Sequence, residues 1–384
     1  MSNIIKKIRL NFQQFKKIFR LADKKVKIVF YSESKFYQKF SYSLIEFFSR
    51  KYPGQVYYAS SDSNDKIENL NVNNIFIGKG FLMNFFFSII KSEFLFLTLT
   101  DLGNHSIKKN KNVDKYVYYN HAGSSTFRSY TESSFDNYDI ILCNGQYQID
   151  EIRCREKQKK IPKKNLVLSG YFYFDIISKK IDFNKEANEI LIAPTWSYDY
   201  KNFINENFIE IISQLLEKKY KVIFRPHPEH FKRSKEILKT ILNKFELNDN
   251  FSFDNNTSNI ESMQNAKCLI TDISDIALEY MLILNRPVLY LDSSKIHNKN
   301  YSDFKDFVNV ELKFKDEFGF TFKEEDIKKI DTLINNSVQN FESKISDLNR
   351  LRDEYYFNFG KTIQKFEKIW EDQILNSDTN NNKK

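Results

Sequence analysis

The sequence predicts an α/β protein of two domains, each built on a doubly wound parallel sheet of the Rossmann type. The chain has 384 residues, whereas single hydrophobic cores stop growing beyond roughly 250 to 300 residues. Short apolar segments typical of buried strands alternate with longer segments typical of helices, and this alternation runs through two cycles. Strands that alternate with helices form right-handed βαβ units and therefore parallel sheets.

The first cycle predicts an N-terminal domain over residues 26–182. A strand opens it, a crossover helix follows over 35–50, and a buried helix is predicted over 81–90. The predicted strands are VKIVFYS (26–32), VYYAS (56–60), IFIG (75–78), FLFLTLT (94–100), KYVYYN (115–120), DIILCNG (139–145) and LVLSG (166–170).

The second cycle predicts a C-terminal domain over residues 183–346. Between Gly170 and Glu189 the alternation lapses, which indicates the connection between the domains. The predicted strands are EILIAPT (189–195), KVIFRPH (221–227), FSFD (251–254), AKCLITD (266–272) and PVLYLD (287–292), with helices near 203–219, 232–245, 258–264 and 275–284.

A helical segment over 347–375 is expected to cross back to the first domain, and a disordered polar tail follows over 376–384. Two Rossmann-like domains that face one cleft form the GT-B architecture. Its ligands bind at the carboxyl ends of the strands.

The formal net charge of +9 favours nucleic acid, anionic lipid or a phosphate-bearing substrate as partner. Its distribution favours lipid, because residues 1–25 combine a basic face with apolar side chains at helical spacing. The basic residues are Lys6, Lys7, Arg9, Lys16, Lys17, Arg20, Lys24 and Lys25, and the apolar ones are Ile4, Ile5, Ile8, Phe12, Phe15, Ile18 and Phe19. The alternative is a surface helix that docks on its own protein. No nucleic-acid partner is expected, since no basic groove with exposed aromatics is indicated.

The three cysteines indicate a reducing compartment. Cys143, Cys154 and Cys268 are far apart and form no CxxC pair, which argues against a disulfide framework or a zinc ribbon. The sequence also lacks an apolar run of about 20 residues. We therefore expect a cytoplasmic protein bound peripherally to the inner face of the cell membrane.

The most informative segment is TDISDIALEYMLILNRPVLYLD (271–292), in which a strand ends, a polar turn follows and a helix begins. Such a turn delivers Thr271, Asp272 and Ser274 to a helix N-terminus. The free N–H groups and the helix dipole favour an anion there, which predicts a phosphate site.

Three further motifs occur in the order YYNHAGSS (118–125), IAPTWSYD (192–199) and FRPHPEH (224–230). Together with 271–292 they resemble the CDP-glycerol glycerophosphotransferase family, the teichoic acid and capsule polymerases. Two positions depart from the family pattern: Asp275 replaces the second Ser of the phosphate motif, and Ala122 replaces the Gly that usually follows the early His.

The resemblance implies an enzyme that transfers glycerol phosphate, or a related polyol phosphate, from a CDP-activated donor to a cell-surface glycan or lipid-linked acceptor, with release of CMP. It implies that His121 is the general base, since an imidazole with a pKa near 6.5 suits proton removal at neutral pH. His227 is implied to lie in the donor site, held between two prolines that stiffen its loop. The small-residue loop of Gly123, Ser124 and Ser125 would lie on the acceptor side.

Several residues are predicted to bind the donor nucleotide or its phosphates: Thr195, Arg225, Thr271, Asp272, Ser274 and Glu279. Structural alternatives exist for some site residues: His121 as a loop cap, His227 in a solvated turn and Glu279 on a solvent-facing helix. Asp275 is expected to be a partner of the helix dipole.

CDP-glycerol is the expected donor substrate, and we expect no obligatory cofactor and no protein-bound metal. No HExxH, P-loop or DxD motif is present. A functional alternative keeps the fold but uses a nucleotide sugar, as a glycosyltransferase of capsule or lipooligosaccharide synthesis.

Overall fold

A computed structural model describes residues 15–19, 21, 23–100, 102–103, 107–131, 133–196, 206–292, 307 and 309–376. The chain forms two compact units. Unit 1 comprises Met1–Ala122, Thr126–Ile176 and Tyr355–Lys384, and unit 2 comprises Gly123–Ser125 and Ile177–Glu354.

Unit 1 is built on a seven-stranded sheet of order β3-β2-β1-β4-β5-β6-β7, in which every neighbouring pair is parallel. The strands are β1 (Val26–Ser32), β2 (Val56–Ser60), β3 (Asn73–Phe76), β4 (Ser92–Leu97), β5 (Val113–Tyr119), β6 (Ile140–Cys143) and β7 (Asn165–Leu168). The helices are α1 (Lys35–Lys51), α2 (Phe81–Ile89), α3 (Thr126–Ser129), α4 (Gln146–Lys159) and α5 (Phe172–Lys180), the last extending into unit 2.

The C-terminal segment completes unit 1 by packing aromatic side chains on α1. It contains α14 (Thr362–Ile369) followed by a π-helical stretch, Trp370–Leu375. Trp370 is fully buried, and its ring lies edge-on to that of Phe48, 4.6 Å between centroids. Lys51 forms ion pairs with Glu367 and Glu371 at 2.9 and 2.7 Å. These contacts explain why the chain returns to unit 1 after unit 2.

Unit 2 is built on a six-stranded sheet of order β10-β9-β8-β11-β12-β13, again parallel throughout. The strands are β8 (Glu189–Ile192), β9 (Lys221–Phe224), β10 (Phe251–Phe253), β11 (Ala266–Thr271), β12 (Val288–Leu291) and β13 (Phe320–Phe322). The helices are α6 (Glu206–Glu217), α7 (His230–Arg233), α8 (Lys235–Phe245), α9 (Ile260–Asn265), α10 (Asp275–Leu284), α11 (Val310–Phe318), α12 (Ile330–Phe341) and α13 (Ile345–Tyr355), with 3-10 turns at Glu324–Lys329 and Glu342–Lys344.

Two parallel α/β sheets confirm the predicted fold class. The stretch after Gly170, where the connection between the domains was predicted, contains a helix that was not predicted, α5, whose Phe172, Phe174 and Ile177 are buried. Buried Asp175 accepts hydrogen bonds from the backbone N–H groups of Thr362 and Ile363 at 3.1 and 2.8 Å. Because α5 is apolar on most sides, it lacks the polar face by which a helix is recognised in sequence.

The predicted basic helix over 1–25 lies largely outside the described residues. Of its described part, residues 15–19 are helical, and Ile18 and Leu21 are buried in the core of unit 1. The predicted tail, 376–384, lies outside them except for Asn376. Among the described residues, no helix combines the length and apolar character needed to cross a membrane.

Candidate functional site

The predicted phosphate motif of unit 2 lies where the strand order of its sheet reverses. Strands β8 and β11 are neighbours, and the chain moves outward from them in opposite directions. Thr195 follows the end of β8, while Thr271 and Asp272 lie at the end of β11. In open α/β sheets this switch point, at the carboxyl ends of the strands, is where ligands bind.

Hydrogen bonds join the two strand ends. The Thr195 N–H donates to Asp272 Oδ1 at 2.8 Å, and Thr271 Oγ1 donates to the Ala193 carbonyl at 2.7 Å. Asp272 is buried, and its Oδ2 has no hydrogen-bond partner among the described residues. Burial raises the pKa of Asp272 to about 6, although the hydrogen bond from the Thr195 backbone acts in the opposite direction. Thr271 and Asp272 therefore fix the loop backbone.

Ser274 is placed differently, because it lies at the N-cap of α10. Its backbone is extended, with φ of −133° and ψ of 147°, and its side chain forms no capping hydrogen bond. The half-buried hydroxyl lies beside the positive end of the helix dipole. Ser274 can thus donate to an anion at this helix end. Asp275 begins the helix and occupies the first turn, where a carboxylate interacts favourably with the dipole.

His227 lies in the loop after β9 and is held by two neighbours. Its ring is nearly parallel to that of Trp196, with centroids 6.4 Å apart. Its Nδ1 accepts a hydrogen bond from the Glu229 N–H at 3.2 Å. In the neutral ring the proton is therefore on Nε2, which makes that atom a hydrogen-bond donor.

His230 links the His227 loop to Thr195. It is fully buried, with Nε2 2.8 Å from the Thr195 carbonyl oxygen and Nδ1 2.9 Å from Ser234 Oγ. Burial lowers the pKa of this imidazole. His230 therefore serves to hold Thr195 in place.

Arg225 and Glu279, both predicted donor ligands, form ion-pair or hydrogen-bond contacts inside unit 2. The Arg225 guanidinium contacts Asp254 Oδ2 at 2.5 Å and the Asn256 carbonyl at 2.8 Å. Glu279 is buried rather than solvent-facing, and its Oε2 accepts from Asn259 Nδ2 at 2.8 Å. Asp254 and Asn259 carry no motif, so sequence reasoning missed them.

In unit 1, His121 follows β5 and is surrounded by aromatic rings. The rings of Tyr37, Tyr130 and Phe40 have centroids 5.6, 5.8 and 6.0 Å from that of the imidazole. His121 Nδ1 is buried and has no hydrogen-bond partner among the described residues. Removal from water lowers the pKa of His121 to about 4, which a hydrogen bond to the Thr98 backbone opposes and the charge of Lys39 reinforces. The imidazole is neutral at neutral pH.

The loop after His121 is grouped with unit 2 over Gly123–Ser125. The Ser125 N–H donates to Glu311 Oε2 at 3.1 Å, and Ser125 Oγ accepts from the Val310 N–H at 3.0 Å. Ser124 and Ser125 are buried. Glu311 is a further contact residue without a sequence signal, since it lies 186 positions from Ser125.

No group of three or more His, Cys, Asp or Glu side chains suited to a metal ion occurs in the described part of the chain.

Comparison with solved structures identifies proteins of the same fold. The wall teichoic acid polymerase TagF matches with a TM-score of 0.61 at 15% identity, over 97% of this chain and 95% of that one. A putative UDP-N-acetylglucosamine 2-epimerase from Listeria monocytogenes matches with a TM-score of 0.53 at 9% identity, over 89% of this chain and 95% of that one. A UDP-GlcNAc 2-epimerase from Methanocaldococcus jannaschii matches with a TM-score of 0.52 at 14% identity, over 90% and 99% of the two chains. No curated protein matches in sequence.

A match to a family profile narrows the assignment from a shared fold to one family. The profile described as CDP-Glycerol:Poly(glycerophosphate) glycerophosphotransferase matches residues 98–318, which is more than half of the 384 residues. The matched range contains both His121 and the motif at the switch point of unit 2. The chain therefore belongs to the CDP-glycerol:poly(glycerophosphate) glycerophosphotransferase family of transferases.

Proposed function

We propose that the protein transfers glycerol phosphate from CDP-glycerol to a hydroxyl of a cell-surface glycan or lipid-linked acceptor, as in teichoic acid synthesis, and releases CMP. The observation that carries the proposal is the family match over residues 98–318, which includes the proposed base and the proposed donor site. The similarity in fold to a wall teichoic acid polymerase supports it.

His121 is the proposed general base. A neutral imidazole accepts the proton of the acceptor hydroxyl as its oxygen attacks the phosphorus that carries glycerol. The new bond joins that phosphorus to the acceptor oxygen, and the bond that breaks is the one to the oxygen of CMP. Because Nδ1 is closed to solvent, the aromatic side chains around it have to move aside when the acceptor binds.

Unit 2 is the proposed donor-binding unit. Ser274 and the N-terminus of α10 would donate hydrogen bonds to the diphosphate, and His227 Nε2 would donate a further one. Thr195, Thr271 and Asp272 would hold the strand ends that shape the site. Arg225 and Glu279 would act indirectly, through the contacts with Asp254 and Asn259.

Ligand-dependent stability tests the identity of the donor. At a ligand concentration of about 100 times Kd, binding stabilises a protein by about 2.7 kcal/mol. We expect CDP-glycerol and CMP to raise the melting temperature and UDP-sugars to have no effect. The Ser274→Ala variant is expected to reduce the shift, whereas Ser343→Ala, at an exposed serine of unit 2, leaves it unchanged. A larger shift with a UDP-sugar than with CDP-glycerol would reject the proposed donor.

A nucleotide-sugar donor is the second candidate, and Asp275 is the observation that favours it. A carboxylate in the first turn of α10 replaces a serine of the family motif and repels phosphate unless it points away or accepts from a sugar hydroxyl. A shift with a nucleotide sugar in the same melting experiment would support this candidate.

We further propose that unit 1 binds the cytoplasmic face of an anionic membrane. Four phenylalanines form an aromatic patch: Phe15, Phe19, Phe81 and Phe85. Phe15 and Phe85 stack with centroids 4.7 Å apart, and Phe19 and Phe81 are 55% and 78% exposed. Lys16 and Lys17 are exposed between the first two. Exposed aromatic rings with adjacent lysines favour the headgroup region of an anionic leaflet.

Removing the exposed rings tests the membrane proposal. Full burial of a Phe side chain contributes about 1.5 to 3 kcal/mol, so the double variant Phe19→Ser/Phe81→Ser is expected to lower binding to phosphatidylglycerol vesicles at least about tenfold. Flotation of the vesicles measures the bound fraction. Phe183→Ser, which removes a Phe of unit 2 that is 56% exposed, is the matched control. Equal loss of binding in the control would contradict the assignment to the aromatic patch.

A further inference from the structure

Four polar side chains of unit 1 hold the backbone on both sides of His121, and together we call them the His121 clamp: Asn120, Asn144, Gln148 and Glu151. Asn120 Nδ2 donates to the Leu142 carbonyl at 2.7 Å and to Gln148 Oε1 at 3.1 Å. On the other side, Asn144 Nδ2 donates to the Ala122 carbonyl at 2.9 Å. The residues before and after His121 are therefore both tied to the end of β6.

The far end of the loop is fixed by Glu151. The backbone N–H and the hydroxyl of Thr126 both donate to Glu151 Oε2, at 2.7 and 2.6 Å. Gln148 and Glu151 are three residues apart on α4 and so lie on the same face of that helix. Gln148 Oε1 also accepts from the Asn144 N–H at 2.8 Å, which joins Asn120, Asn144 and Gln148 into one network.

All four clamp residues are buried, so the presence of polar rather than apolar side chains at these positions needs a physical reason. Buried amides and carboxylates are unfavourable unless they are hydrogen-bonded, and apolar side chains of similar volume often stabilise a fold as well or better. A network of buried polar groups does, however, specify one backbone geometry. In this unit the network surrounds the loop of the proposed base.

The imidazole has a hydrogen bond to the Thr98 backbone, whereas its Nδ1 has no partner among the described residues and the ring is bordered by aromatic side chains. We propose that Asn144, Gln148 and Glu151 are positioning residues, which set the location of His121 relative to the acceptor hydroxyl by fixing its backbone. This inference rests on the proposed role of His121 as general base. A displacement of about 1 Å in a reacting group can lower a rate about a hundredfold.

Paired substitutions at Glu151 test the inference. Glu151→Met removes the acceptor of both Thr126 hydrogen bonds at similar size and is expected to lower kcat about 10- to 100-fold, with the KM for CDP-glycerol unchanged. Glu151→Gln keeps an acceptor oxygen and is expected to recover most of kcat. Gln146→Met is the matched control, because Gln146 is exposed on the same helix. Gln148→Met provides a second disruption of the clamp if Glu151→Met does not fold.

The pH profile distinguishes positioning from general destabilisation. A looser loop admits water to the His121 ring, so the acid limb of kcat/KM is expected to move from about pH 4 toward the ordinary imidazole pKa of about 6.5 in the Met variants. A loss of folded protein would lower the rate without moving this limb.

The outcomes separate this inference from the proposed function. Full activity in a His121→Ala variant would refute the proposed function. An inactive His121→Ala variant, combined with wild-type kcat and an unmoved acid limb in folded Glu151→Met and Gln148→Met, would overturn the clamp alone.

Discussion

Replacement of His121 by Ala is expected to abolish turnover while CDP-glycerol binding is retained. Positioned general bases contribute about 10²- to 10⁴-fold to rate, and His121 is the only histidine of the described part of unit 1. The imidazole follows β5 in unit 1, whereas the proposed donor contacts belong to unit 2. The variant should therefore lose kcat, measured as CMP release, and keep the CDP-glycerol-induced shift in melting temperature.

The His227→Ala variant is compared with His121→Ala. It should lower both kcat and the CDP-glycerol-induced shift in melting temperature, because His227 is proposed to contact the donor. A His121→Ala variant that retains turnover within about tenfold of wild type would fall below the range of a general base and would refute this role.

The pH dependence of the wild type follows from the same residue. Because the pKa of His121 is lowered to about 4, the base remains deprotonated through the neutral range, and kcat/KM should fall only as the pH drops through about 4. The folded protein also binds this proton less well than the unfolded chain, whose histidine pKa is about 6.5. His121 therefore lowers the stability of the fold as the pH falls from about 6.5 to 4.

The sequence predicted elements best where a local pattern had a single interpretation. β1 was predicted over 26–32 and is found at Val26–Ser32, and α10 was predicted over 275–284 and is found at Asp275–Leu284. The first is rich in β-branched and aromatic residues, and the second follows a polar N-terminal turn. Strand β13, Phe320–Phe322, was not predicted.

For the candidate site, the positions of residues at strand ends could be predicted better than their contacts. Strand ends could be located from hydrophobic runs, and this placed Thr195 and Thr271 at neighbouring ends of the unit 2 sheet. The partners that neutralise or orient the site residues could not be predicted, because contacts such as Arg225 with Asp254 or Asn120 with Gln148 join residues 29 and 28 positions apart. Such contacts depend on how the segments that connect successive strands pack against the sheet, which a local sequence pattern does not show.

Asp272 is expected to make the stability of unit 2 depend on pH. Its folded pKa is raised to about 6 by burial, against about 3.9 for an exposed Asp. A carboxyl group with a raised folded pKa binds protons more tightly in the native state, so stability is greatest at low pH and falls as the pH rises between these two values. From about pH 4.5 to pH 8 this change amounts to about 2 kcal/mol of unfolding free energy.

The Asp272→Asn variant isolates this effect. Asn keeps an acceptor for the Thr195 N–H but does not titrate, and the unpaired amide N–H₂ it introduces affects stability equally at every pH. Fluorescence of Trp196 reports on unit 2 alone in a Trp370→Phe background, since the chain has two tryptophans and Trp370 belongs to unit 1. In that background, the free energy of unfolding is measured with urea at about pH 4.5 and pH 8. It should fall by about 2 kcal/mol more in the protein that keeps Asp272 than in the Asp272→Asn variant. Parallel pH profiles would mean that the Asp272 carboxylate is ionised in the folded protein throughout this range, and that burial of its charge is compensated by the loop backbone.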